Sequence, residues 1–204
     1  MIVAINYADE NFKKHQKYNT KTAYKKGKVD NVIEYSPSDI DDKFKSENQR
    51  IFSYKRGAGL WLWKPYIISK TLDSINYNDY IFYCDSGAYY VNDVNYLVNA
   101  MESNNEEIMV YELPLISRQW TKTETFEFFG CNNDEYKEAN QILATYFLIK
   151  KTDNTIKFFK EFLDKCCYEK YISPKKFNSK IDNDELFIEH REDQSIRKYI
   201  MYEI

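Results

Sequence analysis

The sequence lacks the features of a membrane-spanning or secreted protein. It has no run of about 18 apolar residues, and no basic segment followed by a long apolar one at its start. Its four cysteines form no C-x-x-C pair and have no zinc-site spacing, so we expect reduced thiols. We therefore expect a cytoplasmic protein without a transmembrane segment, and peripheral contact with the inner face of the membrane stays open.

The sequence also lacks a charge pattern that favours nucleic acid. The formal net charge is -3, and lysine and arginine are scattered along the chain, so no nucleic-acid partner is expected.

The 204 residues, 43% of them hydrophobic, suffice for one core, so we predict a single domain over residues 1–204. The 19 tyrosines suit a polar ligand groove, although codon bias alone would also explain their number.

Short apolar runs alternate with helical patterns along the chain. The runs at 2–5, 80–84, 108–111 and 144–149 predict buried strands, because they lack polar alternation. Between these runs, apolar residues recur at helical spacing. The predicted elements therefore follow the order β-α-β-α-β. This order predicts an α/β, GT-A-like (Rossmann-like) fold with a mostly parallel central sheet and helices on both faces. Residues 113–140 lack a persistent period, and we expect a loop that acts as a lid over an acceptor.

An aspartate follows the clearest strand directly. Asp85 comes after Tyr80–Cys84 and is followed by Ser86 and Gly87. Ligands of open α/β sheets bind at the carboxyl ends of strands, and carboxylates are preferred ligands of hard divalent cations. The position therefore favours a cation that bridges the phosphates of a substrate. A simple turn or helix cap is the alternative.

A glycine-containing segment joins two cationic residues, Arg56 and Lys64. Gly57 and Gly59 permit an irregular backbone, and Pro65 fits the first turn of a helix. Lys64 is thus expected at a helix start, where unpaired backbone N–H groups suit a phosphate. The alternative is a solvated lysine that caps the helix.

Polar residues are concentrated in a second segment, Glu189 to Ser195. Asp193 and Gln194 are expected in the first turn of a helix, from which they can contact a ligand. His190 can bind a metal or titrate near neutrality. A solvated helix start with a capping aspartate is the alternative, and both interpretations stay open.

Together, these segments resemble glycosyltransferases with the GT-A fold, and in particular glycosyltransferase family 8. Asp9–Phe12, after the first strand, is similar to the D-x-N-aromatic turn that binds uridine in that family. Tyr80–Gly87 is similar to the strand that carries the family's D-x-D motif. Thr145–Lys151 looks like the strand beneath the acceptor pocket, and Asp193-Gln194 looks like a D-Q pair that opens a later helix. Three segments further resemble bacterial glycosyltransferases encoded with surface-polysaccharide genes: Gly59–Pro65, Asp85–Gly87 and His190–Ser195.

The resemblance implies a hexosyltransferase that moves a sugar from a nucleotide-diphosphate donor, UDP-sugar above all, to a glycan or lipid-linked acceptor in polysaccharide biosynthesis. It implies a Mn²⁺ or Mg²⁺ cofactor. Three groups of residues follow from it: a nucleotide-sugar-binding set (Tyr7, Asp9, Asn11, Arg56, Lys64 and Asp85), a catalytic pair (Asp193 and Gln194) and metal ligands (Asp85 and His190).

Two departures from the family pattern affect these roles. Gly87 replaces the second aspartate of D-x-D, so His190 is expected to assist Asp85 unless the metal is weakly bound or absent. The family's late H-x-x-G-x-x-K segment is not found, so either His190 substitutes for it or Lys64 and Arg56 stabilise the diphosphate. Family likeness implies retention of the anomeric configuration; an inverting enzyme would need a base, for which Asp193 is the candidate.

Two other functions stay open. The missing second aspartate suits a non-catalytic domain that binds a nucleotide or a glycan. A nucleotidyltransferase also uses strand-end carboxylates, but the usual glycine-rich phosphate loop is missing, because residues 6–11 contain no glycine. That function is therefore the third choice.

Overall fold

The structure is a computed structural model that describes residues 1–200, with Lys198 and Ile200 described by their backbone alone. The strands are β1 (Ile2–Tyr7), β2 (Asn31–Tyr35), β3 (Tyr80–Cys84), β4 (Ile108–Met109), β5 (Glu112–Ile116), β6 (Asn140–Ile142) and β7 (Tyr146–Lys150). Within these described residues, no helix is both long and apolar enough to cross a membrane.

Most helices are short, and two are not α-helical. The α-helices are α1 (Lys13–Thr22), α2 (Asp42–Glu47), α3 (Gln49–Phe52), α4 (Gly57–Leu60), α5 (Trp63–Ser74), α6 (Asn95–Ser103), α7 (Ser117–Trp120), α8 (Thr123–Phe128), α9 (Asp134–Glu138), α10 (Asp153–Cys166), α11 (Glu169–Ile172) and α12 (Glu192–Ile200). A π-helix (Ala23–Gly27) continues α1, and a 3₁₀-helix (Pro37–Asp39) follows β2.

The chain divides into two compact units. The first, which we call the sheet unit, comprises Met1–Asp42, Tyr66–Val110 and Thr145–Phe159. The second unit comprises Lys43–Pro65, Tyr111–Ala144 and the described residues from Lys160 onward. The division falls within α2, α5 and α10. The single domain predicted over residues 1–204 stays a prediction.

The sheet unit contains a five-stranded sheet in the order β2-β1-β3-β7-β4. β1 pairs in parallel with β2 and β3, whereas β7 is antiparallel to both β3 and β4. All these strands except β7 therefore run in the same direction. The carboxyl ends of β1, β2 and β3 consequently lie at one edge of the sheet.

Helices cover both faces of this sheet. On one face, alternate strand residues such as Ala4 and Phe82 pack with Ala23 of the π-helix and Met101 of α6. On the other face, the rings of Tyr83, Phe147 and Phe159 form a stacked series that includes α10. The sequence prediction of an α/β, GT-A-like fold with a mostly parallel sheet and helices on both faces is confirmed.

The second unit contains residues 113–140, for which we expected one long loop, and that expectation is wrong. Residues 113–140 include most of β5, the helices α7, α8 and α9, and the start of β6. β5 and β6 form a two-stranded antiparallel sheet. Each element has six residues or fewer, so none is long enough to show a persistent period. The lid role of this segment stays a prediction.

The residues of α4, together with Trp61, form a left-handed turn before α5 rather than a regular right-handed helix. Five consecutive residues have positive φ: Gly57 (58°), Ala58 (49°), Gly59 (97°), Leu60 (53°) and Trp61 (60°). Such a conformation costs roughly 1–2 kcal/mol for each residue other than glycine. The turn is stabilised by backbone N–H bonds from Leu60 to Arg56 O (2.9 Å) and from Trp61 to Gly57 O (3.1 Å). Strain of this kind persists only where the surroundings enforce it, and it is common near functional sites.

Gly59→Ala is expected to lower the free energy of unfolding by about 1–3 kcal/mol, because φ is +97° and the new Cβ would lie 2.7 Å from Phe52 Cδ1 and 3.1 Å from Phe52 Cα. Urea unfolding measures the change. Gly87→Ala is the matched control, since nothing lies within 4 Å of its Cβ position. Equal effects of the two substitutions would contradict the strain assigned to the left-handed turn.

Candidate functional site

Asp85 lies where the sequence predicted it, immediately after β3 at the carboxyl edge of the sheet. Its carboxylate is half-buried, and Oδ1 accepts a hydrogen bond from the Tyr83 hydroxyl. Its backbone N–H donates to Thr145 O (2.7 Å), and Ser86 Oγ donates to Tyr7 O (2.6 Å). The ends of β1 and β3 are thus joined at the turn that carries Asp85.

A hydrogen-bonded network of buried amide side chains connects the strands at this edge. Gln16 Nε2 donates to Tyr35 O (2.8 Å) and to Asn6 Oδ1 (2.9 Å), and Asn6 Nδ2 donates to Asn19 Oδ1 (2.8 Å). Asn19 Nδ2 in turn donates to Ala88 O (2.9 Å) and Asp85 O (3.3 Å). These bonds link the ends of β1 and β2 to the turn after β3.

The sequence reasoning missed these amides, although a signal exists. Gln16, Asn19 and Ala23 follow one another at helical spacing, and all three are fully buried. Amides on the inner face of a lysine-rich helix indicate a buried polar network rather than an apolar contact.

The predicted uridine-binding residues form a closed turn at the start of α1. Asp9 Oδ1 accepts from the backbone N–H groups of Asn11 (3.0 Å) and Phe12 (3.2 Å), and Asp9 Oδ2 accepts from Asn11 Nδ2 (3.1 Å). Tyr7 is largely buried, and burial, with the charges of Asp9 and Asp39, raises the pKa of its hydroxyl to about 12. Tyr7 therefore remains neutral at physiological pH.

In the second unit, the two cationic residues that flank the left-handed turn pair with acidic residues around the start of α12. Arg56 Nε lies 2.6 Å from Glu192 Oε1, and an Arg56 terminal nitrogen lies 2.7 Å from Glu189 Oε1. Burial raises the pKa of Glu192 to about 7, although Arg56 opposes the shift. Glu192 itself has a φ of +37°, a second strained backbone position in this cluster.

Lys64 lies at the start of α5, as predicted, but it is buried and is therefore not the solvated lysine of the alternative interpretation. Its contact with a phosphate stays a prediction. Its Nζ donates to Ala144 O (3.1 Å) and lies 3.4 Å from Asp193 Oδ2. The two side chains are 3% and 7% exposed. Two opposite charges are therefore held together out of contact with solvent, which is favourable only when both are well paired.

Asp193 and Gln194 lie in the first turn of α12, as predicted. Gln194 is buried, and its Nε2 donates to Gln141 Oε1 (3.1 Å). Gln141 in turn donates to the hydroxyl oxygens of Ser117 (3.1 Å) and Thr121 (3.2 Å). Sequence reasoning did not identify Gln141, because nothing in the chain marks its pairing with a residue 53 positions away.

His190 is fully buried, and both of its ring nitrogens are engaged. Nδ1 accepts from the Lys122 backbone N–H (3.4 Å), so Nε2 carries the proton and donates to Tyr171 O (2.9 Å). Burial lowers the pKa of the imidazole to about 3, and the charge on Lys122 adds to the shift. The ring is therefore neutral at physiological pH and does not titrate near neutrality. Because both ring nitrogens are hydrogen-bonded, neither is left for a metal in this arrangement.

The structure thus groups the predicted site residues within each unit. The sheet unit holds Asp9 and Asn11 in one turn, and Tyr7 is joined to the Asp85 turn through Ser86. The second unit brings together the charged residues Arg56, Lys64, Glu192 and Asp193. Among residues 1–200, no group of three or more histidine, cysteine, aspartate or glutamate side chains is placed to hold a metal ion.

Comparisons with known proteins leave the family of the chain open. No protein-family model matches the sequence, and no curated protein matches it either. Among solved structures, the chain is similar to a 4-diphosphocytidyl-2C-methyl-D-erythritol synthase from Anaerococcus prevotii DSM 20548 at 10% identity and a TM-score of 0.41. The match covers 99% of this chain and 97% of that one. Similarity at this level does not assign an activity.

The buried neutral His190 makes stability depend on pH. The pKa of its ring is about 3 in the folded chain against 6.5 for an ordinary histidine, so below pH 6.5 the unfolded chain binds a proton that the folded chain does not. The free energy of unfolding is therefore unaffected by this group above pH 6.5. Below pH 6.5 it decreases as the pH falls, by at most about 1.4 kcal/mol per pH unit. His190→Gln should therefore flatten the acid side of a plot of unfolding free energy against pH.

Urea unfolding at a series of pH values tests this expectation. The matched control is His15→Gln, because His15 is the other histidine of the chain and is exposed. The control should keep the slope of the unmodified protein. A slope that His190→Gln leaves unchanged would show that the acid sensitivity comes from other groups.

Breaking the buried ion pair is expected to destabilise the second unit strongly. Lys64→Met leaves the Asp193 carboxylate buried without this partner and should lower the free energy of unfolding by about 3–5 kcal/mol. The double variant Lys64→Met/Asp193→Leu removes both charges and should recover most of the loss. Lys176→Met is the control, because the Lys176–Asp182 pair is solvent-exposed and should matter little. A double variant no more stable than Lys64→Met would contradict this account.

Proposed function

We propose that the chain is a nucleotide-sugar-dependent glycosyltransferase of the hexosyltransferase type. Its donor would be a nucleotide-diphosphate sugar, UDP-sugar first among them, and its acceptor a glycan or a lipid-linked glycan in surface-polysaccharide synthesis. The resemblance to glycosyltransferase family 8 supports this proposal through the segments around Asp9, Asp85 and Asp193.

One structural observation supports the proposal most directly. Asp85 is a half-buried carboxylate at the carboxyl edge of a mostly parallel sheet, in a turn joined by Ser86 to the end of β1. In open α/β sheets this edge is the usual place for a nucleotide. The Asp9–Asn11 turn follows β1 at the same edge, which suits a nucleoside bound beside the diphosphate.

A divalent cation fits this edge only if the substrate supplies most of its ligands. Asp85 offers one carboxylate, and the residue two positions later is Gly87. Mg²⁺ commonly keeps several waters and binds through one or two carboxylates together with substrate phosphates. A cation there would be held by Asp85 and the diphosphate, and it would neutralise charge on the leaving group.

The proposed reaction transfers the sugar from the diphosphate oxygen to an acceptor hydroxyl. The bond between the anomeric carbon and the diphosphate breaks with its electron pair on the leaving oxygen. The acceptor oxygen forms the new bond, and its proton passes to the leaving diphosphate oxygen. In this proposal Arg56 and Lys64 contact the diphosphate, and Asp193 and Gln194 contact the sugar hydroxyls. Lys64 and Asp193 are paired with each other in the structure, so each would exchange that partner for the substrate.

Asp85→Asn is expected to weaken the Mn²⁺-dependent binding of UDP by about 10-fold or more, because it removes the charge of the proposed metal ligand. Isothermal titration calorimetry with and without Mn²⁺ measures the effect. The matched control is Asp73→Asn, which changes an exposed aspartate on α5 of the same unit. Unchanged UDP affinity in Asp85→Asn would refute the site.

Gly87→Asp provides the reverse test. The position has open space and no left-handed backbone, so an aspartate can be added there without strain. Restoring a second carboxylate is expected to raise the affinity for Mn²⁺ in the presence of UDP.

Hydrolysis of a UDP-sugar by the unmodified protein separates the enzyme from the alternative function. Binding without any turnover favours a non-catalytic nucleotide- or glycan-binding domain.

A further inference from the structure

The first helix carries a local excess of positive charge that the net charge conceals. The whole chain has a formal charge of -3, yet residues 11–29 contain seven lysines and no acidic residue. The lysines are Lys13, Lys14, Lys17, Lys21, Lys25, Lys26 and Lys28. This segment is the lysine-rich exception to the scattered distribution of lysine and arginine along the chain.

The helix gathers part of this charge on one face. Lys14, Lys17, Tyr18 and Lys21 are exposed and follow the spacing i, i+3, i+4, i+7, so they share the outer side of α1. The inner side is fixed by the buried amides of Gln16 and Asn19. We call the four exposed residues the basic face of α1.

The lysines of this face have no acidic partner within the described part of the chain. Lys13, at the edge of the face, pairs with Glu34 at 3.7 Å, whereas Lys14, Lys17 and Lys21 form no ion pair with any residue from 1 to 200. Their charge is consequently available to an external partner.

Exposed aromatic rings accompany the charge. Tyr18 is 54% exposed and Tyr89 is 58% exposed, and their rings meet edge to face with centroids 5.7 Å apart. Tyrosine is enriched at the interface between membrane and water, because its ring is apolar and its hydroxyl is hydrated. The pair extends the basic face toward the segment that follows the Asp85 turn.

We propose that the basic face of α1, together with Tyr89, binds the surface of a membrane that contains anionic lipids. Clusters of lysines on a helix are attracted to such a surface, and adjoining aromatic rings add interfacial contact. The inference does not depend on the proposed reaction, because it uses only charge, exposure and helix geometry. It specifies the surface through which the peripheral membrane contact considered above takes place.

The composition of the face favours lipid over nucleic acid. Residues 11–29 contain no arginine, which is the residue that recognises phosphates and bases through paired hydrogen bonds. Lysine acts as a hydrated point charge, which suits a diffuse layer of lipid headgroups.

Co-sedimentation with vesicles tests the proposal. The full chain should bind vesicles of equal parts phosphatidylcholine and phosphatidylglycerol, bind phosphatidylcholine vesicles weakly, and dissociate as salt is raised. The triple variant Lys14→Gln/Lys17→Gln/Lys21→Gln should lower the partition coefficient about 100-fold, since each lysine contributes roughly fivefold. The matched control, Lys157→Gln/Lys160→Gln/Lys180→Gln, removes the same charge from exposed positions elsewhere and should bind almost normally.

Three outcomes would overturn the proposal. Equal binding to the charged and the neutral vesicles would exclude an electrostatic surface. An equal loss in the two triple variants would show an effect of net charge rather than of α1. Retention on single-stranded RNA without retention on the charged vesicles would assign the face to nucleic acid. Thermal unfolding of both variants establishes that any loss of binding is not a loss of fold.

Discussion

The amide group of Asn19 is fully buried and accepts one hydrogen bond while donating others to the turn after β3. A buried amide is tolerated only when its donors and acceptors are satisfied, because an unpaired buried group costs about 1–3 kcal/mol. This requirement fixes Asn6 and Gln16 as well, since each is a partner of the next. The sheet unit can therefore satisfy these groups only with β1, β2 and the Asp85 turn in one arrangement.

The same requirement sets the orientation of α1. Because Gln16 and Asn19 must face inward, the residues on the opposite side of the helix must face outward, and those are lysines and a tyrosine. One polar network thus positions two surfaces of the sheet unit, the carboxyl edge of the sheet and the basic face of α1. The two surfaces have different physical requirements, since the first needs fixed hydrogen bonds and the second needs only exposed charge.

In the second unit, charge pairs flank the strained backbone. The left-handed turn from Gly57 to Trp61 is unfavourable by itself, and Glu192 also has a positive φ. Arg56 before the turn and Lys64 after it pair with Glu192 and Asp193. The positions of these four charged groups are therefore coupled to the strained backbone, and a ligand that replaced one partner would act on the turn as well.

The sequence was informative where a signal is local and failed where a contact is distant. The apolar runs predicted β1, β3 and β7, and a strand-end position predicted the place of Asp85, because both depend on adjacent residues. The burial of Lys64 depends on Asp193, which is remote in sequence, and no local pattern reveals the pair. Likewise, nothing in the sequence around His190 indicates that its ring is buried. The short elements of residues 113–140 lack the length that periodicity needs.

Gly87 gives the carboxyl edge a property that the proposed reaction would use. A lone carboxylate holds a divalent cation weakly, so on this proposal most of the ligands come from the diphosphate of the donor and from water. Cation and donor then bind cooperatively, since each is bound more tightly in the presence of the other. Release of the nucleoside diphosphate would also release the cation, whereas a second aspartate at position 87 would retain it. On this proposal, the glycine would favour a site that assembles with its substrate over a permanent metal centre.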